Sequence, residues 1–347
     1  MRCVALLGAA IALALVPSVA GADATSTPVR HVRVGDVDLA YRSIGHGEPV
    51  VMIIGLGGTM DAWLPQLVDR IGRGRRIVVF DNRGTGRSSA GIQPITVRTM
   101  AGDTHGLIRR LKLEHPDVLG WSMGGFVAQR LDLDHPRDVD RLVLAATTGG
   151  GPGSTLPDPD TLATLLGGGP AALLGLLFPL PAHQAASDAF IASITRWSDF
   201  SLSVPPDVLP AQLTTSLQWF EHGVNLKRIR AATLVGGGLE DQLIPPGNQR
   251  RLAAGIRGAK LVLYPAPPMG SSPRTGAASA RAWTGSSVEP RGLGPGGERR
   301  VRRSVSGLLL MLTTVLHPVM EPMTVGASRC SSTSPAARAE GRVQLGF

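Results

Sequence analysis

The sequence predicts an α/β fold in which a mostly parallel sheet is flanked by helices. Three observations carry this reading. Short apolar runs such as Val50–Ile54 have no polar face, as expected of strands buried on both sides of a parallel sheet. Longer segments with helical spacing separate those runs, and this strand–helix alternation is the signature of crossover connections. A single break in the alternation, after a glycine cluster, marks an inserted helical segment.

In order along the chain, His31–Val34 and Val37–Arg42 flank Gly35-Asp36, a pair that suits a tight hairpin turn. Val50–Ile54 follows as a buried strand, then a helix over Met60–Ile71 and another buried strand at Arg76–Phe80. Thr96–Leu113 has helical spacing, Val118–Gly120 is a short strand, Gly124–Leu133 a helix, and Leu142–Ala146 again a strand. The rhythm stops at Gly149-Gly150-Gly151-Pro152-Gly153, and residues 155–225 are helical in propensity and rich in leucine. Strand, helix and strand resume at Thr233–Val235, Pro246–Ile256 and Leu261–Tyr264. The expected organisation is a core over 25–148 and 226–267, a helical cap over 149–225, and a tail over 268–347.

Charge is distributed unevenly along the 347 residues, whose formal net charge is +9. Residues 268–347 hold ten Arg and four Glu with neither Asp nor Lys, whereas residues 25–267 carry a net of only +3. The basic excess therefore belongs mainly to the tail and is no argument for nucleic acid as a partner of the folded part. The tail is dominated by Gly, Pro, Ser, Ala and Arg, a composition expected to be disordered. Arg outnumbers Lys 32 to 3 over the chain, as a GC-rich coding sequence produces, so a shift of reading frame near residues 266–270 is one source of such a tail. A genuine disordered extension is a second, and a third takes Arg299–Arg303 as a patch for nucleic acid or anionic lipid, against which the lack of interleaved aromatics speaks.

At the opposite end, one Arg, an apolar run from Val4 to Val16 and the small residues around Ala20–Ala24 have the layout of a secretory signal peptide over 1–24. An uncleaved anchor helix is the other reading. The expected location is secreted or associated with the cell envelope, with no stable membrane span once the signal is removed. Leu308–Val319 is too short to span, and Pro318 interrupts it. Cys3 and Cys330 give neither a disulfide framework nor a zinc site, and no phosphate loop or ligand cluster calls for a cofactor or metal.

The chemistry concentrates at Gly120-Trp121-Ser122-Met123-Gly124, a G-x-S-x-G motif between a strand and a helix. That context makes Ser122 a candidate nucleophile on a sharp turn, with a helix N-terminus favouring the charge that develops there. Acyl transfer also needs amide donors for the oxyanion. Met123 supplies one, and Leu56 in the glycine-rich turn Gly55-Leu56-Gly57-Gly58 supplies the second.

These features, with Asp81-Asn82-Arg83-Gly84-Thr85-Gly86-Arg87-Ser88 and Gly238-Leu239-Glu240-Asp241-Gln242-Leu243-Ile244-Pro245, resemble the α/β-hydrolase superfamily over about residues 29–265. The resemblance implies an α/β-hydrolase fold with a helical cap. It also implies Asp241 as the acid that orients the base, and a structural role for Asp81 and Arg83. Ile54 stands where such proteins often carry His. The resemblance further implies a histidine just after the last strand, but Leu261–Pro265 runs into Ala266-Pro267-Pro268-Met269-Gly270 without one. His317 is the only histidine beyond Asp241. His46, His105, His115, His135, His183 and His222 all precede Asp241 and read as surface or packing residues.

The expected function is therefore a serine hydrolase acting on a small-molecule carboxylic ester or related acyl compound, impaired by the missing base. The alternative is a catalytically inactive hydrolase-like protein, either a binding module or a frameshifted product. The leucines at 162, 165, 166, 173, 174, 176 and 177, with Phe178, suggest an apolar substrate or the packing of the cap. Nothing in the sequence specifies an oligomeric state.

Overall fold

A computed structural model describes residues 23–167, 175–177 and 184–265. The tail, most of the signal segment, and Leu173, Leu174 and Phe178 of the cap lie outside the described residues. Eight strands form one sheet: β1 (Arg30–Val34), β2 (Val37–Gly45), β3 (Glu48–Ile53), β4 (Arg75–Phe80), β5 (Asp117–Trp121), β6 (Arg141–Ala145), β7 (Ala232–Gly238) and β8 (Lys260–Tyr264). Their spatial order is β1-β2-β4-β3-β5-β6-β7-β8. The β1–β2 hairpin and the β2–β4 pair are antiparallel, and every other neighbouring pair is parallel.

The uninterrupted apolar strands are explained by two separate cores, one on each face of the sheet. Val51 and Ile53 of β3 point into the first core, while Val50, Met52 and Ile54 point into the second. Val78 and Phe80 of β4 alternate with Ile77 and Val79 in the same way. A strand with period-two geometry and cover on both sides has no position left for a polar residue. Helices α2 (Val97–Arg110) and α3 (Met123–Asp134) supply much of the first cover, and α1 (Pro65–Ile71) part of the second.

The helix expected over Met60–Ile71 is broken into a 3₁₀ turn, Met60–Ala62, and α1. Pro65 has no N–H to donate and holds Leu64 extended (φ −62°, ψ 123°), so the helix restarts at the proline. The segment expected at Thr96–Leu113 begins one residue later, because Thr96 is its cap. The Thr96 hydroxyl accepts from the Thr99 amide, and the Thr99 hydroxyl accepts from the Thr96 amide.

Between β6 and β7 lie α4 (Pro159–Gly167), α5 (Gln184–Ile194) and α6 (Val208–His222); α7 (Pro246–Gly255) then joins β7 to β8. A buried polar network docks the inserted segment on the sheet. Asp61 is fully buried, pairs with Arg42 (3.3 Å) and Arg87 (2.9 Å), and accepts from the Ser201 amide (2.9 Å). Arg42, also fully buried, reaches Thr27 and Ser198 and lies 5.2 Å from the Trp197 ring centroid. Asp61→Ala leaves two cations facing an unpaired cavity and is expected to cost about 3–5 kcal/mol in urea unfolding. The double change Asp61→Leu with Arg42→Met is expected to recover part of that loss, because the fully buried cation is then gone and Arg87, which is partly exposed, can turn to water.

Asp81 and Arg83 fix the loop after β4. The Asp81 carboxylate accepts from the amides of Met60 (2.6 Å) and Arg87 (2.8 Å). Arg83 binds Asp103 through two parallel bonds of 2.6 and 2.7 Å. Burial raises the Asp81 carboxyl to about 6, against the opposing pull of those two amides. Between pH 4 and pH 6 the folded chain therefore keeps a proton that the unfolded chain has released. This stability is fully present below pH 4 and is lost as pH rises through 6, a difference of roughly 3 kcal/mol. In urea unfolding at pH 4.5 and 7, the advantage of wild type over Asp81→Asn is expected to be larger at the lower pH.

Candidate active site

Three loops meet the same edge of the sheet, at the C-terminal ends of parallel strands, where open α/β sheets bind ligands. β3 leads into Gly55–Gly58, β5 into Ser122, and β7 into the Asp241 loop. Hydrogen bonds run across this edge: Ser122 N–H donates to Ala145 (2.9 Å), Ala146 N–H to Gly236 (2.8 Å), and Leu239 N–H to Tyr264 (2.8 Å).

Ser122 sits at φ 54°, ψ −123°, a conformation a non-glycine residue adopts only when its surroundings impose it. The cause is the short passage from β5 into α3. Helix α3 is packed so closely beneath β3 that a Cβ on Gly124 would lie 2.1 Å from the Ile53 carbonyl oxygen. The Ser122 backbone is held by its own N–H bond to β6 and by its carbonyl, which accepts from Gly125 N–H (2.8 Å) and the Thr147 hydroxyl (2.8 Å). Its hydroxyl has no hydrogen-bond partner among the described residues.

The turn Gly55–Gly58 passes directly beside the serine. A Cβ on Gly55 would stand 3.1 Å from Ser122 Cβ and 3.6 Å from Ser122 Oγ. Gly58 N–H closes the turn on the Gly55 carbonyl (3.1 Å), and Gly57 adopts φ +64°. Gln212 of α6 accepts the Gly57 amide at 2.8 Å, which occupies that donor. The amides of Leu56 and Met123 make no hydrogen bond among the described residues. Two unused donors thus flank Ser122, one on the turn and one on the first residue of α3. Sequence reasoning missed Gln212, whose reach of 155 residues leaves no local signal.

Asp241 is half-buried. Its Oδ1 accepts from the amides of Leu243 (3.0 Å) and Ile244 (2.8 Å), while Oδ2 has no partner among the described residues. Burial raises its carboxyl against those two bonds. Tyr264, at the end of the neighbouring β8, has a buried hydroxyl without a partner among the described residues, and burial pushes it up to about 12.

No described histidine bonds to Ser122 or Asp241. His46, His115 and His222 are exposed, whereas His105 inside α2 and His135 at the C-terminal end of α3 stack on each other 3.7 Å apart. His183, His317 and the segment from residue 266 lie outside the described residues. Of the cap leucines, Leu162, Leu165, Leu176 and Leu177 are half-buried.

Comparison with known proteins agrees with this architecture. A family profile described as the alpha/beta hydrolase fold matches residues 48–174. The protein named carbamate hydrolase RutD of Caulobacter sp. (strain K31) is 33% identical over 247 residues, covering 67% of this chain and 89% of that protein. The protein named non-heme bromoperoxidase BpoC of Mycobacterium tuberculosis is 41% identical over 114 residues, which cover 33% of this chain and 43% of that protein. Among solved structures, an alpha/beta hydrolase fold protein from Chitinophaga pinensis superposes with a TM-score of 0.63 at 25% identity, covering 70% of this chain and 90% of that one. With its sheet order, its serine at the end of β5 and these likenesses together, the chain belongs to the α/β-hydrolase family.

Proposed function

We propose that the chain is built to hydrolyse a small carboxylic ester or related acyl compound through Ser122. The observation that carries this reading is the serine at φ 54° beside two amides, Leu56 and Met123, that are unpaired among the described residues. In the proposed reaction Ser122 Oγ attacks the carbonyl carbon and its proton passes to a base. The oxyanion is held by the Leu56 and Met123 N–H groups. Collapse expels the alcohol, and water then releases the acid from the acyl-serine. Asp241, with Oδ2 unused, is the carboxylate that would orient the base and stabilise its cation. The likeness to a protein named as a carbamate hydrolase adds carbamates to the substrate classes.

A second reading, a catalytically silent hydrolase-like chain, is favoured by the absence of a histidine on Ser122 or Asp241 among the described residues. A fluorophosphonate probe and a panel of aryl esters and aryl carbamates separate the two in the full chain. Labelling and turnover in wild type but not in Ser122→Ala support the hydrolase. Neither in wild type supports the silent chain. Activity that is lost in His317→Ala would identify His317 as the base. Export to the cell envelope or beyond belongs to the same proposal, resting on the signal-like segment 1–24. Sequencing the mature N-terminus tests it, since a chain retaining Met1 contradicts cleavage.

A further inference from the structure

Helices α2 and α3 pack side by side, and the C-terminal end of α3 meets the second half of α2, which brings together three residues the proposed reaction does not use. His105 comes from α2, His135 caps α3, and Asp138 follows one turn later, its amide donating to the His135 carbonyl (2.9 Å). Each offers one ligand atom, and the three atoms lie within 4.8 Å of one another. We propose that His105, His135 and Asp138 form a binding site for a divalent first-row metal cation of the zinc class, which ties α2 to α3.

The donor set is the first argument. Two imidazole nitrogens and a carboxylate oxygen form a recurring three-residue set for zinc, with a fourth position left to water. Metal–ligand bonds of about 2.0–2.1 Å place tetrahedral donors about 3.4 Å apart. The existing spread needs a movement on the order of 1 Å, which half-buried imidazoles at a surface can make.

The unused valences are the second. Asp138 is buried and hydrogen-bonds His105 through Nδ1, which orients that ring. Neither ring nitrogen of His135 has a partner among the described residues, although the ring is half-buried. It lies parallel to His105, with 8° between the planes.

The surroundings are the third. The three residues line an open cavity of about 310 Å³, together with Arg109, Asp134, Pro136 and Arg137. The C-terminal end of α3 contributes carbonyl dipoles that favour a cation. Asp134 is neutralised by Arg130 and Arg98. Arg109 and Arg137 are exposed, so their opposition is screened by solvent and salt. The site lies a helix length, about 20 Å, from Ser122. Its role is therefore to brace the scaffold.

The test uses the full chain freed of metal by a chelator and titrated with Co²⁺, followed by displacement with Zn²⁺. One equivalent of Co²⁺ with the visible band of a four-coordinate ion is expected, together with a Zn²⁺-dependent rise in the thermal midpoint. His135→Gln and, independently, His105→Gln are expected to weaken Zn²⁺ binding by more than about a hundredfold, beyond the loss typical of an outer-shell partner. Both are expected to abolish the midpoint shift, whereas His31→Gln leaves it intact. A metal-free midpoint within error of wild type shows that each variant is folded, and Asp138→Asn replaces either one that is not. Absence of binding in wild type, or equal binding in wild type and both histidine variants, overturns the proposal.

Discussion

Exogenous imidazole is expected to raise turnover of an activated aryl ester by the full chain at least about tenfold, while Ser122→Ala stays at background. A positioned base contributes roughly 10²–10⁴ to such a reaction, and a diffusing one recovers only part of it. Only β6 lies between β5 and β7, so the strand ends carrying Ser122 and the Asp241 loop are about 10 Å apart. An imidazole with a hydrogen bond at each nitrogen bridges a gap of that order. Ser122 Oγ and Asp241 Oδ2, both without a partner among the described residues, are the atoms it would join. The measurement is initial rate against imidazole concentration at fixed pH and ionic strength. No rescue, combined with activity that disappears in His317→Ala, would show that the chain carries its own base.

Gly124→Val is expected to be severely damaging to folding. The added Cβ would lie 2.1 Å from the Ile53 carbonyl oxygen and 2.7 Å from both the Ile53 carbonyl carbon and the Ile54 oxygen. All three are backbone atoms of the central strand β3 and its exit, so no side chain can turn away to relieve the clash. Helix α3 would have to lift off the sheet, uncovering the core around Phe126, Val127 and Leu131. A cost above about 4 kcal/mol is expected, seen as loss of soluble protein or of the cooperative urea transition. Gly102→Ala is the matching control. Gly102 lies within α2, and its Cβ would meet nothing within 4 Å. That change is expected to stabilise by about 0.5–1 kcal/mol, because alanine restricts the unfolded chain and suits a helix.

Much of the fold was legible along the chain because its signals are local. The apolar runs at Val50–Ile54 and Arg76–Phe80 mark strands covered on both faces. Gly35-Asp36 marks the hairpin, and the glycines around Ser122 mark the passage from β5 into α3. The family resemblance rested on the same stretches. The split at Pro65 was missed, because the apolar spacing of Met60–Ile71 concealed the proline at which the helix restarts.

What the tertiary structure alone decided is which distant side chains meet. Gln212 takes up the Gly57 amide across 155 residues, which removes that donor from the turn beside Ser122. Arg42 is an ordinary basic residue in the sequence, yet it is buried between the sheet and the inserted segment because Asp61, Ser198 and Trp197 surround it. His105 and Asp138 lie 33 residues apart, and each reads alone as a surface residue. They become a cluster with His135 because the end of α3 packs against the second half of α2. Periodicity and turn chemistry act between near neighbours and survive in the linear order. Partnerships between side chains depend on how the layers dock, and no local pattern records them.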